Sequence, residues 1–377
     1  MNIGIFTEIY HPTINGVVVS IDTFVRELGN LGHKVYIFAP STPNFQDKSR
    51  EVFRFKSLPY PVSVDYRFPL PLPPSLFRGI PQLKLEIIHS QTPFFVGAVA
   101  LYLSKRYKIP LVFTHHTQYT EYTHYIPLPQ KPLKRLTMKW DRIYCNHCDF
   151  IIAPGNSIKE TLQKEGVITP IKVIPTGVNL KEFENLQPER VRKRYKIDPS
   201  LFLLMFAGRL AREKNVEFLL ESFSLILEKE PGVHFLIVGG GPEEKNLISL
   251  AKKLSLGQKV TFTSYLPNEE VLNCYAASDL FVFSSLTETQ GLVILEAMAS
   301  ATPVVALSAS GVSDVVTNGE DGFLSSPNQA LFRDRVVELI RNEELRKKMG
   351  RQARKKAERF SSSNSALELA NIYKSLG

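Results

Sequence analysis

The feature of this 377-residue chain that most constrains its fold is a rhythm that runs through it twice. Short runs rich in Ile, Val and Phe alternate with stretches of helical periodicity. In the first half the runs are NIGIFTE, KVYIFAP, EIIHSQ, PLVFTHH, DFIIAPG and IKVIPTG, with helical patterns such as 17–32 and 94–107 between several of them. In the second half they are FLLMFAG, HFLIVGG, KVTFTSY, LFVFSSL, TPVVALS and GFLSS, with helices predicted over 215–230, 243–255, 269–276, 292–300 and 329–358. Runs that are apolar at nearly every position suit strands covered on both faces. Repeated strand–helix units make open parallel sheets, and two series make two such domains. The length is also more than one core usually holds. The expectation is an α/β chain with a first domain over 1–180 and a second over 197–358. The boundary falls in the charged, proline-bearing stretch 184–199.

Composition narrows the class. No apolar run approaches the length that spans a bilayer. Met1 leads directly into NIGIFTEIY, which reads as a buried strand and not as a signal peptide. Three cysteines make no disulfide framework, which points to a reducing cytoplasm. CNHC at 145–148 has the spacing of a redox pair or half a zinc site, but no second pair completes such a site. It also closes a helix, where a redox motif normally opens one, so it reads as structural. The net charge is +9, and it is uneven. Residues 1–178 hold 20 of the 46 Lys and Arg against 12 of the 37 Asp and Glu, leaving 26 against 25 for the rest. A basic first half suits nucleic acid, phosphate or an acidic membrane leaflet, or is simply a soluble basic domain.

In open parallel sheets ligands bind beyond the carboxyl ends of strands, and chemistry-bearing residues gather there. Gly16 stands before the first helix, where a ligand can approach the backbone and free N–H groups favour phosphate. GRLAREKN (208–215) follows a strand and offers Arg209 and Lys214, two cations able to neutralise a diphosphate. LTETQGLVILEAM (286–298) carries Glu288 in a strand-to-helix loop and Glu296 about a turn into the helix, with a helix start near Gly291. Glu288 is placed to accept from sugar hydroxyls, and Glu296 to hold a ribose diol. VGGGPEEKN (238–246) is a further Gly-rich turn without a dinucleotide fingerprint. His115 and His116 end a strand, where a histidine can meet a reacting centre; His11 and His124 are less well placed. Neither an H-x-x-x-H zinc spacing nor a D-x-D pair occurs. Cations and helix ends would then stabilise a leaving phosphate.

These residues resemble a known family. ETQGLVILEAMASATPVV is similar to the E-x7-E region of retaining glycosyltransferase family 4, and GRLAREKN, VGGGPEE, SDLFVFSSLTE, VIPTGVNLKEF and NGEDGFL fit that family in order over nearly the whole chain. The resemblance implies a GT-B fold: two Rossmann-like parallel-sheet domains facing across a cleft, with a C-terminal helix of about 360–377 crossing back to the first. It implies a nucleotide-sugar donor and neither metal nor cofactor. Carried over by position, Arg209 and Lys214 bind the donor diphosphate and Glu296 the ribose. Glu288 lies beside the transferred sugar, and Thr289, Gln290, Gly291 and Leu292 contact sugar and phosphate. Gly16 approaches the phosphate from the other domain, and His116 matches the active-site histidine, whereas His115 stands where an aromatic or small residue is usual.

FTHHTQYTEYTHYIP is similar to a segment of bacterial diacylglycerol glucosyltransferases, which implies transfer of glucose from UDP-glucose to 1,2-diacylglycerol. The basic first half would dock on an anionic inner leaflet. KPLKRLTMKWDRIY (131–144) alternates cations with apolar residues as an interfacial helix does, or packs on the core. PYPVSVDYRFPLPLPPSLF (59–77) is an apolar loop suited to a lipid path. Two departures stand out: Ala301 replaces a glycine usual before TPVV, and Ser310-Gly311 replaces a usual double glycine. One alternative is a GDP-mannose-dependent mannosyltransferase acting on a phosphoinositide or other polar acceptor. The remote one is a nucleic-acid-binding protein with Tyr119, Tyr122 and Tyr125 as stacking platforms. The expected partners are a nucleotide sugar, a lipid and an anionic membrane surface, not nucleic acid.

Overall fold

The computed structural model describes residues 1–60, 63–70, 79–126 and 128–377. The chain divides into two compact units, Met1–Thr176 with Ser362–Gly377, and Gly177–Ser361. Each is built on its own parallel sheet.

The first unit has strands β1 (Asn2–Phe6), β2 (Lys34–Pro40), β3 (Val52–Phe55), β6 (Ile87–Ser90), β7 (Leu111–Thr114), β8 (Phe150–Ala153) and β9 (Ile171–Val173), in the order β3-β2-β1-β6-β7-β8-β9. A separate antiparallel pair is formed by β4 (Ser57–Tyr60) and β5 (Ser63–Pro69). Helices α1 (Gly16–Asn30), α2 (Phe95–Tyr107), α3 (Gln130–Cys145) and α4 (Asn156–Lys164) cross between strands. Six of the seven sheet strands are those read from the sequence. The seventh, β3, escapes because VFRF sets a cation in the run and lies at the sheet edge. Alternation explains the unbroken apolar runs: Ile3 and Ile5 join a layer with Ile21, Phe24 and Leu28 of α1, while Phe6 joins Val96 and Tyr144 on the other face.

The second unit contains the six expected strands, β10 (Phe202–Ala207), β11 (Val233–Val238), β12 (Val260–Phe262), β13 (Leu280–Phe283), β14 (Val304–Leu307) and β15 (Gly322–Ser325), in the order β12-β11-β10-β13-β14-β15. Its helices are α5 (Pro188–Arg194), α6 (Val216–Lys229), α7 (Glu244–Lys253), α8 (Asn268–Ala277), α9 (Leu292–Ala299), α10 (Ser310–Ser313), α11 (Gln329–Arg341) and α12 (Glu343–Arg359). The single helix expected over 329–358 is two. Asn342 leaves helical geometry (φ −111°, ψ 86°) and its side chain accepts from Leu345 N at 3.0 Å, capping α12. In both sheets the strand order reverses next to the central strand, at β1/β6 and at β10/β13. Those switch points are where open sheets bind ligands.

The last helix, α13 (Ser362–Leu376), belongs to the first unit, as a crossing C-terminal helix requires. Ser362 Oγ donates to Glu27 at 2.8 Å. Buried Tyr373 meets His89 Nδ1 at 2.6 Å, and His89 Nε2 meets Thr114 Oγ1 at 2.7 Å. Burial, and then the nearby His116, push the His89 imidazole down to about 3. The unfolded chain takes up a proton near pH 6.5 that the folded clasp refuses, so stability falls as pH drops below about 6.5. Hydrogen exchange in α13 and β6, corrected for intrinsic rates, is expected to speed up roughly tenfold per pH unit between pH 6 and 4. Unchanged protection across that range would contradict the clasp.

The three cysteines are free and buried. Cys145 closes α3, and burial pushes the Cys145 and Cys148 thiols up, the reverse of a reactive pair. Among the described residues no helix is long and apolar enough to cross a membrane.

Candidate active site

In the second unit the loops after β10 and β13, one on each side of the switch point, are stitched together. Ser284 Oγ lies 2.8 and 2.9 Å from the carbonyls of Lys214 and Asn215, and Ser285 Oγ donates to Glu213 O at 3.0 Å. Lys214 closes a short turn, Arg212–Lys214. Held there, its ammonium forms an ion pair with the Glu288 carboxylate, and both side chains are largely withdrawn from solvent. Arg209 lies partly buried in the same post-β10 loop.

Beyond Glu288 the chain runs through Thr289 and the buried Gln290 to Gly291, whose φ of +74° is left-handed and favours glycine. Gly291 opens α9, with Leu292 as its first residue, and no side chain caps this start. The uncapped positive end of the helix dipole therefore lies at the loop that carries Glu288. Behind the loop, Gly311 N–H donates to Glu288 O at 3.2 Å. A Cβ at Gly311 would stand 2.4 Å from that oxygen. Of the two glycines usual at 310–311, the one that a side chain would turn into a clash is retained.

Glu296 lies one turn into α9. Tyr275 of α8, fully buried, donates its hydroxyl to Glu296 Oε2 at 2.9 Å. Burial pushes the Glu296 carboxyl up to about 7, against the pull of that hydrogen bond.

In the first unit Gly16 is the first residue of α1, which Asn15 caps by accepting from Val17 N and Val18 N. A Cβ at Gly16 would meet no heavy atom within 4 Å, so neither packing nor backbone explains the glycine. After β7 the two histidines part. His115 turns inward to Asp141 of α3, with Nε2 at 2.8 Å from Oδ2 and both groups buried. His116 donates from Nε2 to Gln91 Oε1 at 2.6 Å, and Gln91 follows β6 at the switch point. Burial, and then His115, push the His116 imidazole down to about 3, so it is neutral at neutral pH. Position in the sequence put both at a strand end, and the family resemblance singled out His116; the structure sets the two in different surroundings. Tyr119 packs edge-on against Phe94 and His115. The side chains of Tyr122, His124 and Tyr125, and residues 61–62 and 71–77 of the segment read as a loop over 59–77, lie outside the described residues; within that segment 63–69 is the strand β5 and not loop.

Residues 14–182 match Glycosyltransferase Family 4, and residues 188–356 match Glycosyl transferases group 1. The alpha-monoglucosyldiacylglycerol synthase of Streptococcus pneumoniae is 32% identical over 322 residues, which covers 81% of this chain and 71% of that protein. The chain is a family 4 glycosyltransferase. The synthase of the same name from Acholeplasma laidlawii is 29% identical over 361 residues, 92% of this chain and 89% of that one. Among solved structures, sucrose-phosphate synthase from Thermosynechococcus elongatus superposes with a TM-score of 0.82 at 20% identity, covering 100% of this chain and 98% of that one. Anabaena HepE in complex with UDP gives 0.80 at 19%, with 100% of both chains covered. The fold of this hexosyltransferase is thus GT-B.

Several residues around these glycosyltransferase loops went unread in the sequence. Ser284 and Ser285 carried a signal, since polar residues directly after an apolar strand face its carboxyl end. Gln91 sits the same way after EIIHSQ. Tyr275 had none, because a tyrosine in an amphipathic helix reads as core.

Proposed function

We propose that this glycosyltransferase moves glucose from UDP-glucose to the free hydroxyl of 1,2-diacylglycerol, with α geometry retained, at the inner face of an anionic membrane. The observation that carries the lipid reading is the surface of α3. Leu136, Trp140 and Ile143, spaced i, i+4, i+7, are exposed along one stripe. Arg135, Lys139 and Arg142, with the same spacing one residue earlier, are exposed along the next. Asp141, Tyr144 and Cys145 face the core. An apolar stripe beside a cationic one is the pattern of a helix lying in a membrane interface. The names of the pneumococcal and Acholeplasma relatives point the same way.

In the proposed reaction Arg209, Lys214 and the α9 start hold the donor diphosphate. Glu296 holds the ribose. Glu288 and the neutral His116 bind hydroxyls around the transferred sugar, and Gly16 lets backbone N–H groups near the phosphate. The bond between the anomeric carbon and the β-phosphate oxygen breaks, and its electron pair leaves with UDP. The acceptor oxygen bonds to the anomeric carbon on the same face, and its proton passes to the departing phosphate. The products are UDP and α-glucosyl-diacylglycerol. The proposal includes no metal or bound cofactor; fixed cations and the helix end meet the charge on the leaving group.

A second reading, GDP-mannose with a polar acceptor, is favoured by a 28%-identical Corynebacterium glutamicum relative named GDP-mannose-dependent alpha-mannosyltransferase. A screen of UDP-glucose, UDP-galactose and GDP-mannose against vesicles containing diacylglycerol, with and without anionic lipid, separates the two. Glucosyl-diacylglycerol formed from UDP-glucose is expected. Mannosyl transfer to a water-soluble acceptor would replace the proposal.

Trp140 is the only tryptophan, so its emission reports on α3 directly. A blue shift on anionic vesicles is expected. The triple variant Arg135→Gln, Lys139→Gln, Arg142→Gln is expected to weaken vesicle binding about a hundredfold, at about 1 kcal/mol per charge. Equal binding by both proteins would remove α3 from the interface.

A further inference from the structure

Two consecutive residues of α3 reach two different loops of the first unit. Trp140 donates from Nε1 to Pro93 O at 2.9 Å, in the loop that runs from β6 into α2. Asp141 accepts from His115 Nε2 at 2.8 Å, at the end of β7. Neighbours on a helix point about 100° apart, which lets 140 and 141 serve separate loops. The two loops also meet each other. Gln91, two residues before Pro93, accepts from His116, the residue after His115.

We propose that Trp140 and Asp141 are positioning residues for His116: α3 clamps the two loops that join in the His116–Gln91 hydrogen bond, and so fixes the imidazole. The proposal rests on the reading that His116 binds a hydroxyl of the transferred sugar.

Asp141 and His115 are 6% and 4% exposed. A buried ion pair is a poor stabiliser, because desolvating both groups offsets their attraction. What such a pair does well is hold one geometry. A displacement of about 1 Å at a group that meets the reacting sugar can cost about a hundredfold in rate, so a clamp on both loops has a direct use. Electrostatics act in the same direction. Burial pulls the His115 imidazole down, but the charge and hydrogen bond of Asp141 outweigh it and the net shift is up. After burial, it is the His115 charge that keeps the neighbouring His116 neutral. A neutral imidazole carries one ring proton, and the Gln91 oxygen places it on Nε2, which makes the other ring nitrogen an acceptor.

The test uses the full chain labelled with 15N-histidine, assayed with UDP-glucose and vesicles containing diacylglycerol. A downfield Nε2–H resonance is expected for His116, identified by its loss in His116→Gln. Asp141→Asn removes the charge. It is expected to shift or broaden that resonance and to lower kcat about tenfold, with the KM for UDP-glucose changed less than about twofold. Trp140→Phe keeps an aromatic ring and removes the N–H. It is expected to move the same resonance and lower kcat about fivefold, as the loss of one neutral hydrogen bond does, with vesicle binding by sedimentation unchanged. An unmoved resonance in a folded variant overturns the assignment of that residue. A moved resonance with normal kcat overturns it as well, where His116→Gln itself lowers kcat. If His116→Gln leaves kcat normal, or UDP-glucose is not the donor, it is the reading of the reaction that fails, and the resonance alone decides whether α3 positions the ring. If Asp141→Asn does not fold, Trp140→Phe decides.

Discussion

Lys214→Ala is expected to lower kcat/KM for the nucleotide sugar about a hundredfold, equivalent to about 3 kcal/mol of lost transition-state stabilisation. Lys214 is held by the hydroxyls of Ser284 and Ser285 through the backbone of its own turn, so the ammonium is fixed before substrate arrives. It sits beside Glu288, which balances its charge. In the proposed reaction a diphosphate, which carries more negative charge than one carboxylate, displaces it and releases Glu288 toward the sugar. The loss is expected mainly in kcat if the contact tightens as the phosphate departs, with UDP affinity falling about tenfold from the ground-state share. The fold should survive, because the side chain lies in a loop and not in the core. Steady-state kinetics with circular dichroism check this. A folded variant with near-normal kcat/KM would remove Lys214 from the donor site.

Glu296→Gln is expected to do two opposite things. Turnover should fall more than tenfold, because an amide grips a ribose diol less well than a carboxylate. Stability at pH 8 should rise. Burial lifts the folded Glu296 pKa to about 7, above its unfolded value. The folded state therefore holds a proton that the unfolded state has lost, and stability declines as pH climbs from about 4.5 through 7. At pH 8 the charged carboxylate is a burden that glutamine lacks; at pH 5 the protonated acid and glutamine are near equivalents. A Tm rise of about 4 °C at pH 8 and almost none at pH 5 is expected, from about 1–2 kcal/mol in a unit of this size. Calorimetry at the two pH values measures it. Equal shifts at both would show that the carboxylate is not destabilised. A stability gain joined to lost turnover is the mark of a group held for function.

The two-unit architecture was legible because it rests on local patterns. Twelve apolar runs with helices between them announce two parallel sheets, and each expected run is a strand. The misses have local causes too. Arg54 interrupts β3, and Asn342, an ordinary polar residue in a helical pattern, turns out to be a cap. Candidate site residues were named because they follow strands, and parallel strands all deliver their loops to one end of the sheet.

The chain's own text determined which residues stand at strand ends, that Gly291 opens a helix, and that the acids at 288 and 296 share one loop–helix unit. Those are matters of neighbours in sequence, where periodicity and turn chemistry act. Only the tertiary structure decided that Lys214 meets Glu288 across 74 positions, that Tyr275 supports Glu296, and that His115 turns inward to Asp141 while His116 meets Gln91. The reason is physical. A strand end presents adjacent side chains to different surroundings, and what each one meets is set by crossover helices arriving from far along the chain, about which the local pattern is silent.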